Sequence, residues 1–254
     1  MQFLSGQQSR NVDQLAIAEF GMSGLVLMEN AGRGVADLLE RLGLKHADRI
    51  VICCGKGNNG GDGFVLARHL WVRNYLPTVW LFADPAELTG DARANYRILQ
   101  SLKFPVSVLS DSAISDQTTT ELFDQLSGED WIMDALLGTG VKGNPRPPMD
   151  NIIRRLNQVR HQSKCRMLAV DLPSGWDADA GQASDPTIHA TETATFFAMK
   201  RGFDCPLAKE YLGEVHVLDI GIPPLPIIER LMQFAEPVAD RRQRSPGKTA
   251  RVRS

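Results

Sequence analysis

The chain has 254 residues, a formal net charge of −2, 43% hydrophobic residues and 23% charged residues, which gives room for one sizeable core in an ordinary globular composition. That balance excludes a disordered chain and offers no basic footprint for nucleic acid. The opening MQFLSGQQSRNVDQ has no basic segment leading into an apolar run, and no stretch is apolar for long enough to span a bilayer, so neither a secretory signal nor a membrane helix is expected.

In chain order, apolar residues recur at helical spacing from Ser9 to Leu42, interrupted at Phe20-Gly21-Met22-Ser23-Gly24. This spacing predicts two helices joined by a tight turn. An alternation of strands and helices follows. Strand-like Arg49–Cys54 leads through a glycine-rich segment to a helix carrying Leu66 and Leu70, then to strand Thr78–Phe82 and a helix around Tyr96–Leu102. Val106–Leu109 and Trp131–Leu137 read as further strands, and helix Asn151–Val159 precedes strand Met167–Leu172. Two late apolar runs, Thr193–Met199 and Val215–Ile220, are expected to extend the sheet at one edge. The order predicts an α/β fold, a Rossmann-like three-layer αβα sandwich with a mainly parallel sheet and an N-terminal helical extension, because parallel strands need crossover helices that cover both faces. One domain is expected over residues 1–230. Residues 231–254, with Arg241-Arg242-Gln243-Arg244, read as a basic, mobile linker or tail. Gly247-Lys248-Thr249 resembles a Walker loop only superficially, since Arg242 stands where its first glycine belongs.

Cys53, Cys54, Cys165 and Cys205 show no C-x-x-C spacing, and Cys53 and Cys54 are adjacent in a strand, where side chains point to opposite faces. Buried, reduced thiols in a cytoplasmic protein are expected. The five histidines are scattered without ligand spacing, so each is read as a surface or core residue rather than a catalyst.

Three segments carry chemistry. Gly55-Lys56-Gly57-Asn58-Asn59-Gly60-Gly61-Asp62-Gly63 sits between a strand and a helix, where glycines admit a ligand to the backbone and helix-start N–H groups favour phosphate. Gly55, Gly57 and Gly60 also satisfy G-x-G-x-x-G, with Asp84 after the next strand, so a dinucleotide dehydrogenase is a rival reading. The two amides and the carboxylate added by Asn58, Asn59 and Asp62 depart from that fingerprint. In the second segment Asp134 interrupts an apolar strand shortly before Gly138-Thr139-Gly140. A buried carboxylate needs either a cation or several hydrogen-bond donors, and spacing alone leaves both open. In the third, the apolar strand through Val170 ends in Asp171-Leu172-Pro173-Ser174-Gly175. In a parallel sheet the C-terminal ends of the strands share one crest, so the three segments are expected to converge on one nucleotide-sized site. Asn59, Asp134 and Ser174 offer oxygen ligands, which speaks for a hard cation and against zinc, with magnesium, calcium and a monovalent ion all open.

These motifs, in this order, resemble the YjeF N-terminal domain family, whose enzymatic members are NAD(P)H-hydrate epimerases. The resemblance runs from about Ser5 to Pro224 and includes Gln8 and Asp13, Leu27-Met28-Glu29-Asn30-Ala31-Gly32, the glycine-rich segment with Ala67-Arg68-His69-Leu70, the Asp134 and Asp171 motifs, Lys200, and Asp219-Ile220-Gly221-Ile222-Pro223. It implies that Asn58, Asn59, Gly60, Gly61 and Asp62 bind a hydrated dinucleotide, joined by Gly138, Thr139, Gly140, Val141, Lys142, Gly143 and Asn144. It further implies that Asp171 contacts the substrate and that Asn59, Asp134 and Ser174 coordinate potassium. From the chemistry of the substrate, whose C6 hydroxyl sits beside the ring nitrogen, Asp171 is expected to act as general acid and base. A homodimer is implied as well. In many family members a dehydratase follows, so this chain is read either as a free-standing epimerase or as the first half of a fused enzyme. A non-catalytic nucleotide-binding or protein-interaction module of the same fold is the alternative.

Overall fold

The structure is a computed structural model that describes residues 3–109, 121–124, 126, 130–163, 165–224, 226–228 and 230. The segment expected as a basic linker lies outside these residues. Seven parallel strands form the central sheet: β2 (Ile50–Cys54), β3 (Pro77–Leu81), β4 (Val106–Val108), β5 (Trp131–Ala135), β6 (Arg166–Val170), β9 (Glu192–Phe196) and β11 (Glu214–Leu218). Their spatial order is β11-β9-β6-β5-β2-β3-β4. Two short pairs lie outside it: β1 (Phe3–Leu4) runs parallel to β10 (Met199–Lys200), and β7 (Trp176–Asp177) pairs antiparallel with β8 (Gln182–Ala183). The late apolar runs do form one edge of the sheet, as β9 and β11.

Strand β2 reads as an unbroken apolar run because it is covered on both sides. Ile50, Ile52 and Cys54 belong to one core cluster and Val51 and Cys53 to the other, following the two-residue period of a strand. On the first face pack α2 (Gly24–Arg41), α3 (Asn58–Val72) and α4 (Gly90–Ser101), through Val35, Leu39, Leu66, Leu70 and Leu99. The second face is covered by α5 (Met149–Ser163), through Ile152, Ile153 and Leu156. Each such fully buried aliphatic side chain contributes roughly 1.5–3 kcal/mol. Cys53, Cys54 and Cys165 are buried free thiols, while Cys205 is only half-buried.

The N-terminal extension is two helices, as the spacing predicts. Ser5 caps α1 (Gly6–Phe20) by accepting from Gln8 N at 3.1 Å, and Gln8 Oε1 accepts from Ser5 N at 2.9 Å, a reciprocal capping box. Gly21 ends the helix at φ 68°, a left-handed conformation that favours glycine. The inner face of α1, Val12 and Ala16, packs on Leu27 and Ala31 of α2 and on Ile220 and Ile222. Several motif residues turn out to be fasteners between layers. Glu29 of α2 holds Arg68 and, at 2.7 Å, His69 of α3, and Asn30 Nδ2 donates to the Ile220 carbonyl at 2.9 Å.

The strand order reverses between β2 and β5, because β2 is followed outward by β3 and β4 on one side and β5 starts the other half. Crevices at such reversals, beyond the C-terminal ends of the strands, are where open α/β sheets bind ligands.

Candidate active site at the crest of the sheet

A cavity of about 1150 Å³ opens at that crevice, large enough for a dinucleotide-sized ligand. Its walls come from the segments after β2, β5 and β6, and from one face of α1.

The glycine-rich segment is not a loop. Helix α3 begins at Asn58, so Asn58 and Asn59 of its first turn and Asp62 of its second face the cavity. Three glycines in that first turn and the next run against helix propensity, each costing up to about 1 kcal/mol. Packing overrides the propensity. A Cβ on Gly60 would stand 1.9 Å from the Gly55 carbonyl oxygen, and one on Gly63 would stand 2.7 Å from Cys54 Sγ. The helix start is thereby pressed onto the end of β2. No side chain caps it, since its N-cap is Gly57, so the first N–H groups are left for a ligand, and the positive end of the helix dipole favours an anionic one. Gly60 and Gly61 are not among the residues that face the cavity. Gly60 packs against Gly55 and Gly61 against Met28.

From the loop after β5, Gly138, Thr139, Gly140, Val141, Lys142 and Asn144 line the cavity, whereas Gly143 does not. The Gly143 carbonyl accepts from Ser184 Oγ at 3.1 Å, and Asn144 Oδ1 accepts from Asp185 N at 3.1 Å, which fastens this loop to the segment after β8. Asp84, which the dehydrogenase fingerprint would use on a ribose, instead accepts from Ala86 N at 2.8 Å and caps the short 3₁₀ turn Pro85–Glu87.

Asp134 is fully buried in β5, between Cys53 of β2 and Ala169 of β6. Its carboxylate accepts from Ser174 Oγ at 2.6 Å, Ser174 N at 2.7 Å and Leu136 N at 3.3 Å. Burial pushes its pKa up to about 6, against the opposing pull of those three hydrogen bonds. Asn59 Nδ2 donates to the Leu137 carbonyl at 3.0 Å, but its Oδ1 is buried without a hydrogen-bond partner among the described residues. Ser174 Oγ also accepts from Leu137 N at 2.9 Å. A partnerless buried amide oxygen, a buried carboxylate with no basic side chain on it and a hydroxyl oxygen make an all-oxygen donor set, which fits a hard cation of low charge.

Asp171 follows β6 directly and adopts φ 65°, a left-handed conformation uncommon outside glycine but accessible to Asp. Its N–H donates to the Ala194 carbonyl at 2.8 Å, which fixes the turn to β9. The carboxylate lies 3.0 Å from Lys200 Nζ, a lysine only 4% exposed, and accepts from Thr195 Oγ1 at 3.3 Å. The buried Lys200 and the hydroxyl of Thr195 were not singled out as site residues by the sequence; a lysine closing an apolar run was the available signal. Asp62, half-buried on α3, is raised well above the usual carboxylate range, by burial first and then by the neighbouring charges of Asp171 and Asp13.

One wall was not expected as part of the site, although its Asp13 is among the residues that carry the family resemblance. Ser9, Arg10, Asp13 and Ile17 of α1 line the cavity, and their spacing places them on one helical face. Arg10 Nη1 reaches the Thr139 carbonyl at 3.4 Å and Gly6 N donates to Asp179 Oδ1 at 2.7 Å, so α1 is tied across the mouth of the cleft.

Comparison with known proteins gives one consistent result. An NAD(P)H-hydrate epimerase of Pirellula staleyi is 45% identical over 218 residues, covering 85% of this chain and 91% of the relative. Another, from Rhodopirellula baltica, is 37% identical over 229 residues, covering 90% and 86%. The crystal structure of yeast ynu0, YNL200c, superposes with a TM-score of 0.69 at 25% identity, covering 88% of this chain and 95% of that one. The model of the family described as YjeF-related protein N-terminus matches residues 24–202, and with that span of crest, loops and acids accounted for, this chain belongs to that family.

Proposed function

We infer that this chain is an NAD(P)H-hydrate epimerase, an isomerase that interconverts the R and S forms of hydrated NADH and NADPH at C6 in nicotinamide nucleotide repair. The observation that carries the reading is the single cleft in which Asp171, paired with Lys200, faces an uncapped helix N-terminus, in a chain whose relatives of that name match it over most of their length. The substrate carbon bears a hydroxyl and the ring nitrogen, a hemiaminal, so its configuration can be exchanged without redox chemistry.

In this proposal the start of α3, with Asn58, Asn59, Gly60, Gly61 and Asp62, and the loop Gly138 to Asn144 hold the dinucleotide, and Asp171 moves a proton at the C6 hydroxyl. Loss and re-addition of water, or opening and closing of the ring, then inverts the centre. Potassium belongs on Asn59, Asp134 and Ser174. When bound there, it supplies a positive charge that offsets the buried carboxylate and ties the start of α3 to the loops after β5 and β6. The assembly is a homodimer, tested by sedimentation. The free thiols support a reducing, cytoplasmic setting, and among the described residues no helix is long and apolar enough to cross a membrane.

The test supplies a single epimer of NADPH hydrate to the purified chain and follows the R-to-S ratio by chromatography, with potassium and without, against the spontaneous rate. Faster, potassium-sensitive equilibration is expected. No acceleration under conditions where the dinucleotide binds would replace this reading with that of a binding module.

A further inference from the structure

We propose that Asp13, on the α1 wall of the cleft, is a second catalytic residue, the partner that exchanges a proton with the substrate when Asp171 does the converse. The inference rests on the epimerase reading and deepens it. Helix α1 stands outside the matched family segment, which begins at residue 24, and it is not part of either face of the sheet. Yet it is held rigidly against the site. Val12 and Ala16 bury its inner face, and Arg10 and Gly6 anchor its near end to Thr139 and Asp179. That anchoring leaves Asp13 facing the cavity, where Asp171 and Lys200 also look in.

A carboxylate in the middle of a helix is ordinarily solvated or paired with a neighbour one turn away. Asp13 has neither a hydrogen bond nor an ion pair among the described residues; its side chain is solvent-exposed and lines the cleft. Its pKa is pushed up to about 6, by the surrounding protein first and by the charge of Asp171 second, with Lys200 opposing. The charges acting on it come from two places, Asp171 after β6 and Lys200 of β10, and Asp13 in turn raises Asp62 of α3. Asp62 is raised well above its usual range, by burial first. Asp13 titrates near working pH, which suits a group that must give and take. Asp13 and Asp171 line the same cleft, so two carboxylates are at hand to divide the giving and the taking of a proton.

Both chemical routes give such a pair its work. In the elimination route the Asp13 carboxylic acid protonates the C6 hydroxyl, the C–O bond breaks with loss of water, and the ring nitrogen lone pair forms the C=N bond of an iminium. Water then adds to the other face, the C=N π electrons return to nitrogen, and the released proton goes to the Asp171 carboxylate. In the ring-opening route Asp171 takes the hydroxyl proton as the C6–N bond breaks to an aldehyde, and Asp13 protonates the departing nitrogen. No electrons leave the substrate in either case. The reverse reaction exchanges the roles, and solvent resets the pair.

The experiment measures epimer exchange by the whole chain as a function of pH, with the spontaneous rate subtracted at each pH, for the unaltered protein, Asp13→Asn and Asp13→Glu, with a thermal melt of each. The unaltered chain is expected to lose kcat/KM as pH rises through about 6. Asp13→Asn is expected to lose kcat on the order of 10²–10⁴-fold with a much smaller change in KM and no such limb, while Asp13→Glu restores the limb and part of the rate. Should Asp13→Asn fail to fold, the unaltered chain and Asp13→Glu still decide, because absence of the limb in both overturns the assignment. An Asp13→Asn protein that exchanges epimers at the normal rate and with the normal pH profile sinks this inference alone. A chain that never accelerates exchange sinks it together with the epimerase reading.

Discussion

Asp134 and Asp171 look alike in the sequence, each an acid at the end of an apolar strand before a glycine-bearing turn, and the structure gives them opposite employment. Asp134 is still inside its strand, in register with Cys53 and Ala169, so its neighbours are the two central strands and its partners are Ser174 and Leu136. Asp171 is one residue past the end of β6. That single step turns its backbone left-handed and its carboxylate toward the cleft and Lys200. Position relative to the crest, more than residue type, separates a carboxylate sealed inside the sheet from one that opens on the cleft.

The sharpest test of that contrast is Asp171→Asn, expected to lower kcat on the order of 10²–10⁴-fold with KM changed far less. Steady-state kinetics check it, alongside a thermal melt because the substitution leaves the buried Lys200 without its carboxylate. Near-normal turnover would remove Asp171 from the chemistry. Asp134 should instead appear in stability. Its folded pKa of about 6 lies above the usual 3.8, so folding favours its protonated form. The stability it contributes is complete below about pH 3.8 and is lost as pH rises through about 6, a change on the order of 3 kcal/mol. The difference between urea unfolding of the unaltered chain and of Asp134→Asn, in potassium-free buffer, isolates it, and potassium should flatten the fall. A difference that grows with pH would break the comparison.

Gly60→Ala places a methyl 1.9 Å from the Gly55 carbonyl oxygen and should cost about 1–3 kcal/mol of stability. Unfolding at the normal denaturant concentration would mean that the close approach of α3 to β2 is not needed. Asn59→Ala removes the partnerless buried oxygen. It should weaken dinucleotide binding by roughly tenfold or more, the size of one lost charge-assisted contact, and abolish the response to potassium in the exchange assay. A full potassium response in that variant would take the ion away from this place.

Much of this was legible beforehand. The two-residue period in β2, the helical spacing of the N-terminal extension and the strand-helix alternation dictated the three layers, because a sheet covered on both faces must read as continuous apolar runs. The convergence of the Asn58, Asp134 and Asp171 segments followed from all strands of the sheet running parallel. Three things were not legible. Glycines at 60, 61 and 63 spoke for a loop, and only close packing against Gly55, Met28 and Cys54 reveals why a helix begins there, since propensity is a local quantity and packing is not. Asp13 lies about 160 residues from Asp171, and no local pattern says that α1 folds over the cleft. The pairing of Lys200 with Asp171 likewise joins the short β10 to the end of β6. The sequence by itself determined the layers and the chemistry available at their crest. Which carboxylate is sealed and which is open was decided by tertiary structure alone, because burial and the charges that face a group are set by neighbours distant in the chain.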